Sequence, residues 1–130
     1  MFKNEEELFN SLKRNLIKDL IKKDQYSRTD CSSVKYDSTI ELKCRNTHYQ
    51  ELLIEKDKYD ALMDSPTKNK RYINSTPEGV FSFDITKINN IEWFDKSLPT
   101  TTEFDRKEWR IKKVGLLDIN DAKNITELLN

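Results

Sequence analysis

Residues 39–45 read TIELKCR, and this short stretch decides how the rest of the chain is read. Ile40, Leu42 and Cys44 are apolar, whereas Thr39, Glu41, Lys43 and Arg45 are polar or ionic. Side chains alternate between the two faces of a strand, so this period of two predicts a β-strand with one greasy and one ionic face. Glu41 and Lys43 stand two residues apart and therefore project side by side from the ionic face. A carboxylate can ligate Mg²⁺ while a neighbouring ammonium holds or helps deprotonate a water beside the ion, the arrangement that attack on a phosphodiester needs. One carboxylate holds a hard dication weakly, so a second acidic ligand is required. Asp30, eleven residues upstream, can meet Glu41 across a turn. Asp37 competes for that place, but only three residues separate it from Glu41, which leaves little room for the turn.

Working outward, Leu8, Phe9, Leu12, Leu16, Ile17, Leu20 and Ile21 recur at helical spacing and predict a helix over about residues 5–22. Asn4 caps its start, with Glu7 as the partner in an Asn-x-x-Glu capping box, and Glu5, Glu6 and Glu7 suit the positive end of the helix dipole. Residues 26–45 form two or three short strands, the last being 39–45. Residues 46–54 are ambiguous between strand and helix. Tyr59, Leu62 and Met63 place a second helix over 55–64, which Pro66 ends. A hairpin follows, with strands 70–74 and 80–85 about a turn at Pro77 and Gly79. Beyond a threonine-rich loop around Pro99 come a strand at 109–114, then Gly115, then a short terminal helix over 121–129.

The Glu41–Lys43 spacing carries no weight alone. Chance expects about three acid-x-Lys triplets in a chain this charged, and three occur, the others being Asp105 with Lys107 and Asp121 with Lys123. Only the first sits in an alternating apolar pattern. A solvated strand face with a cross-paired Glu and Lys has the same spacing. Composition narrows the rest. At 130 residues the chain is read as one domain spanning 1–130, too short for a separate cofactor fold. Basic and acidic residues balance at 23 each, so a polyanion must be met by a local patch. No apolar run reaches the roughly 18 residues that span a bilayer, and no export signal is evident, so the expected place is the cytoplasm, with no membrane partner. Cys31 and Cys44 are expected to stay reduced in the core. With His48 they lack the paired spacing of a zinc site. Trp93, Phe94, Trp109, Phe81 and Phe83 are read as core.

The order of helix, Asp30, ten intervening residues, IELKCR and then a helix entered through LLIEKDKYDAL resembles the PD-(D/E)XK nuclease superfamily. It is most similar to the small single-domain members of phages and mobile elements, over roughly residues 5–86. The resemblance implies an α/β, restriction-endonuclease-like mixed β-sheet flanked by helices in a single domain. It implies a Mg²⁺-dependent nuclease hydrolysing DNA phosphodiesters to 5′-phosphate ends, with Mn²⁺ as substitute. Asp30 and Glu41 would be the metal ligands, the Leu42 main-chain carbonyl a third, and Lys43 the group that positions the attacking water. A glutamate from the first helix often joins such sites, and here Glu5, Glu6 and Glu7 are all candidates, Glu7 being also the cap partner. The chain departs from the signature at Thr29, where the family has proline.

DNA contacts are expected from Arg45, His48, Lys70 and Arg71, with Lys68 beside them and a second basic cluster at Arg110, Lys112 and Lys113. A homodimer, or a place in a phage protein complex, is the expected assembly, because cutting two strands together takes two sites. The alternative function is a binding or assembly module that keeps the nuclease fold without its chemistry. A weaker third is a nucleic-acid binder that never used a metal.

Overall fold

Residues 1–99 and 109–130 are described by the computed structural model. Helix α1 (Glu5–Asn15) starts as the sequence predicts, with Asn4 Oδ1 accepting the Glu7 amide at 2.9 Å. Glu7 Oε2 accepts the amide of Lys3, one residue before the cap, at 2.8 Å. The helix stops at Asn15, well before residue 22. Leu16 leaves helical dihedrals at φ −131°, and Lys13 Nζ closes the end by donating to the carbonyls of Lys18 and Leu20. Ile17 and Leu20 remain buried although they lie in a turn. The apolar spacing therefore runs past the helix because the turn packs on the same core, and periodicity reports burial rather than backbone conformation.

The chain continues through β1 (Ile21–Lys22), β2 (Cys31–Ser33), β3 (Ser38–Cys44), β4 (Glu51–Glu55) and α2 (Lys56–Asp64). After these come β5 (Asn69–Thr76), β6 (Gly79–Asp84), β7 (Phe94–Pro99), β8 (Trp109–Asp118) and β9 (Lys123–Asn124). Among the described residues the larger sheet has the order β1-β2-β3-β5-β6-β9, and β4-β8-β7 form a smaller one. Among the described residues only β3 and β5 pair in parallel, placing Glu41 beside Tyr72 and Lys43 beside Asn74. A parallel pair needs a long crossover, which β4 and α2 supply. One face of the large sheet packs on α1 through Leu8, Leu12, Ile40, Leu42, Ile73 and Val80. The other packs on α2, β4 and β8 through Leu62, Leu52, Ile54 and Leu117 against Tyr72 and Phe83. This is the mixed sheet flanked by helices that the sequence predicts, and no described helix is long and apolar enough to cross a membrane.

Further departures from expectation lie in the second half of the chain. Residues 94–99, where the sequence predicts no strand and a loop around Pro99, form β7, because β8 supplies a ladder for a segment whose own side chains are almost all exposed. Asp105, Lys107 and the rest of that loop lie outside the described residues. The terminal helix is replaced by β9 and short 3₁₀ turns. Asn124 Oδ1 accepts both the amide and the hydroxyl of Thr126, and Thr126 Oγ1 accepts the Val80 amide, so side chains take up the backbone groups a helix would need. Phe81 and Phe83 are buried as expected, but Trp109 is 61% exposed and Phe94 41%.

Gly115, expected to end its strand, is instead inside β8. A Cβ there would collide with Ile91 Cγ2 and stand 3.2 Å from the Trp93 ring, so glycine admits those side chains against the strand. Gly115→Ala is expected to cost about 1–3 kcal/mol as an overpacked site, read as a lower urea midpoint at unchanged slope. An unchanged midpoint would refute the packing argument.

Candidate active site

Strand β3 holds the centre of the site. Its ionic face turns toward α2 and β4, and a cleft of about 660 Å³ opens there, lined by Glu5, Asp30, Glu41, Leu42, Lys43 and Lys58 among others. Asp30 lies just before β2, where β2 has ended as a partner for β3. Its Oδ2 accepts the Leu42 amide at 2.8 Å and so takes over the ladder where no strand remains. The amide and carbonyl of one strand residue point to the same side, so the Leu42 carbonyl also faces Asp30. This is how a residue eleven positions away comes beside Glu41.

Glu41 is only 5% exposed. Its Oε2 lies 3.2 Å from Lys58 Nζ, and its buried Oε1 has no hydrogen-bond partner among the described residues. Burial, and then the negative charge of Asp30, push the Glu41 carboxyl up to about 7; Lys58 opposes this only in part. Burial works to lower the Lys58 ammonium, but Glu41 beside it more than offsets that and holds it above its ordinary value. Sequence spacing does not single out Lys58 as a site residue, yet a signal is present. It stands three and four residues before the buried Ala61 and Leu62 and so borders the core stripe of α2, on the side that packs toward β3.

The donor set suits a hard dication. Two carboxylates converge in a partly dehydrated place, one with an oxygen lacking any donor, and a main-chain carbonyl faces the same side. No group of three or more His, Cys, Asp or Glu side chains gathers to hold a metal among the described residues. Mg²⁺ accepts such a sparse set because it keeps several waters and uses one or two carboxylates. Of the helix glutamates, Glu5 lines the cleft, while Glu7 is engaged on the Lys3 amide. Asp37 sits in the turn before β3 with φ 46° and does not line the cleft.

Lys43 is exposed in the cleft beside Glu41. The other expected contacts scatter. Arg45 lines the cleft, but its guanidinium ties strands together, donating to Asn74 Oδ1 at 2.8 Å, to the Tyr72 hydroxyl at 3.1 Å and to the Leu53 carbonyl. Lys70 is buried, and its Nζ donates to the carbonyls of Ser65 and Thr67, both at 2.6 Å, which closes the end of α2. Arg71 alternates to the opposite face of the sheet and lines a separate cavity of about 390 Å³ with Ile40 and Ile73. His48 stacks near Phe81 and shares a hydrogen bond with Thr76 Oγ1, outside the cleft. Period-two alternation in β5 accounts for the separation of Lys70 from Arg71. Cys31 and Cys44 are free; burial pushes their thiols up to about 12 and about 11, which disfavours the thiolates a zinc site uses.

No family model and no curated protein matches the sequence. Among solved structures the chain is similar to Hjc, a Holliday junction resolvase from the archaeal hyperthermophile Archaeoglobus fulgidus. The identity is 15%, the match covers 96% of this chain and 91% of that one, and the TM-score is 0.55. The chain has the restriction-endonuclease-like fold, as its strand and helix order led one to expect.

Proposed function

We propose that this chain is a divalent-metal-dependent nuclease that hydrolyses phosphodiester bonds in DNA. One observation carries the reading: a buried glutamate with a donorless oxygen faces a second carboxylate in an open cleft, with an exposed lysine two residues along the same strand face. Lys58 compensates this pair of carboxylates only in part, and a buried pair of that kind is costly unless a further cation joins it. Asp30, Glu41 and the Leu42 carbonyl would hold Mg²⁺, with Mn²⁺ as a substitute and Glu5 the helix glutamate best placed to assist. When bound, the ion supplies a lowered pKa for a water and stabilisation of charge on the phosphate.

The chain's own groups do the rest. Asp30 anchors itself on the Leu42 amide, so its free oxygen is held in position. Lys43 would orient the attacking water and, as the neutral amine, take the proton that the water loses on attack. Lys58 neutralises one oxygen of Glu41 and, at the mouth of the same cleft, would contact a substrate phosphate. The likeness to a Holliday junction resolvase makes branched DNA the first substrate to try, and a homodimer would cut two strands together.

The second reading, a binding or assembly module with the same fold, draws on Lys58, which already neutralises one oxygen of Glu41. Calorimetry with Mn²⁺, followed by cleavage assays on linear and four-way-junction DNA with Mg²⁺, separates the two. Nuclease function predicts both metal binding and cutting to 5′-phosphate ends. Absence of both results would leave the module.

A further inference from the structure

The ribbon of β7 and β8 extends from the cleft and has two unlike faces. Its register sets Lys96 opposite Lys112 and Leu98 opposite Arg110, so these four share a face. Leu98 and Lys112, with Pro99 at the strand end, line the same cleft as Asp30, Glu41 and Lys43, and Lys112 meets the cleft residue Glu55, so that face is turned toward the site. Lys96 and Arg110 are exposed. On the opposite face the one strand-pair of charges is matched, Lys113 lying 3.4 Å from Asp95.

Like charges directly across a ladder destabilise it, and Lys96 and Lys112 are such a pair with Arg110 diagonal to them. Glu55 Oε1 meets Lys112 at 2.6 Å and is the only carboxylate within 4.0 Å of this row among the described residues. A ribbon whose charges are balanced on one side and crowded with cations on the other is built to meet an anion on the crowded side. The spacing selects the anion. Residues on one strand face recur every roughly 6.8 Å, about two of the 3.4 Å rises between phosphates along one DNA strand. A small anion would satisfy one of these cations, and a duplex backbone satisfies the row.

We propose that Lys96, Arg110 and Lys112 form a phosphate-tracking arm that holds duplex DNA on the β7–β8 side of the cleft. This deepens the nuclease reading and rests on it for the site that the arm serves. DNA held there would run from the ribbon across Lys43 and Lys58.

The test measures binding of a fluorescein-labelled 30-base-pair duplex in EDTA by anisotropy, over a series of salt concentrations. Lys96→Glu with Arg110→Glu should weaken binding roughly 10- to 100-fold at 100 mM salt and reduce the slope of log K against log salt by about 2, one for each phosphate left without its cation. Lys123→Gln, on β9 at the edge of the large sheet and outside the cleft, should leave affinity and slope unchanged. If the charge-reversed protein loses its cooperative thermal transition, Lys96→Gln with Arg110→Gln takes its place and should lower the slope equally. Unchanged affinity and slope in the folded variant, or no duplex binding by the natural chain, overturns the arm. Failure of the nuclease reading looks different: the natural chain would bind duplex through the arm yet leave every DNA uncut with Mg²⁺ or Mn²⁺.

Discussion

Glu41→Gln is expected to remove metal binding and cleavage while making the metal-free protein more stable at and above neutral pH. The carboxyl of Glu41 is raised from 4.5 to about 7 by burial and by Asp30, so the folded chain favours the protonated form. The sign follows from linkage: a group whose folded pKa is raised contributes its full stability below the unfolded value and loses it as pH rises through the folded one. In EDTA, the natural protein should therefore lose roughly 3 kcal/mol of stability as the pH rises from about 4.5 through 7, at 1.36 kcal/mol for each pKa unit. Glutamine keeps the shape of the side chain and has no charge to desolvate. It also gives up the Lys58 ion pair, but that partner is 46% exposed and screened, so burial and Asp30 outweigh it. Urea unfolding of both proteins from pH 5 to 8 reads the effect, with the curves separating as pH rises. A variant less stable than the natural chain at pH 8 would show that Glu41 is held by Lys58 and not frustrated by Asp30. A fall in cutting of about 10²–10³-fold should accompany the gain in stability, in line with removing a main electrostatic stabiliser of the reacting groups.

Lys43→Met should lower cleavage by about 10²–10⁴-fold, the range for a positioned proton-transfer group, while Mn²⁺ binding by calorimetry stays intact. Lys43 is exposed in the cleft and is not one of the oxygen donors, so the ion's place does not depend on it. The paired variant Lys58→Met separates the two cleft lysines. Lys58 competes with a cation for Glu41, so its removal should tighten Mn²⁺ binding and leave more cutting than Lys43→Met does. The reverse result, with Lys58→Met inactive and Lys43→Met active, would transfer the water-positioning role to α2. Both variants lie at the protein surface or half-buried, and circular dichroism verifies that each is folded.

Much of this was legible along the chain. The strand at β3, its division into apolar Ile40 and Leu42 against ionic Glu41 and Lys43, the cap at Asn4 and the hairpin of β5 and β6 all follow from nearest neighbours. Errors arose where two causes give the same pattern. Ile17 and Leu20 kept helical spacing inside a turn because both conformations bury them. Lys70 and Arg71 read as a basic cluster, yet adjacent strand residues face opposite ways, so one became an internal staple and the other lines a distant cavity. Strand β7 had no pattern of its own, its pairing being imposed by β8.

Local order, then, determined which side chains share a face of β3, since the pleat repeats every two residues whatever lies elsewhere. The mixed sheet and its flanking helices were implied by the resemblance of the element order to a known family, not by short-range rules. Tertiary structure alone decided that Asp30 would lie beside Glu41, that Lys58 would arrive from a helix seventeen residues further on, and that a basic ribbon would border their cleft. Those meetings depend on where β2 ends, how α2 crosses back and which strand pairs with β8. Each is a long-range closure won by burying the two cores on either side of the sheet, and no neighbouring residue encodes it.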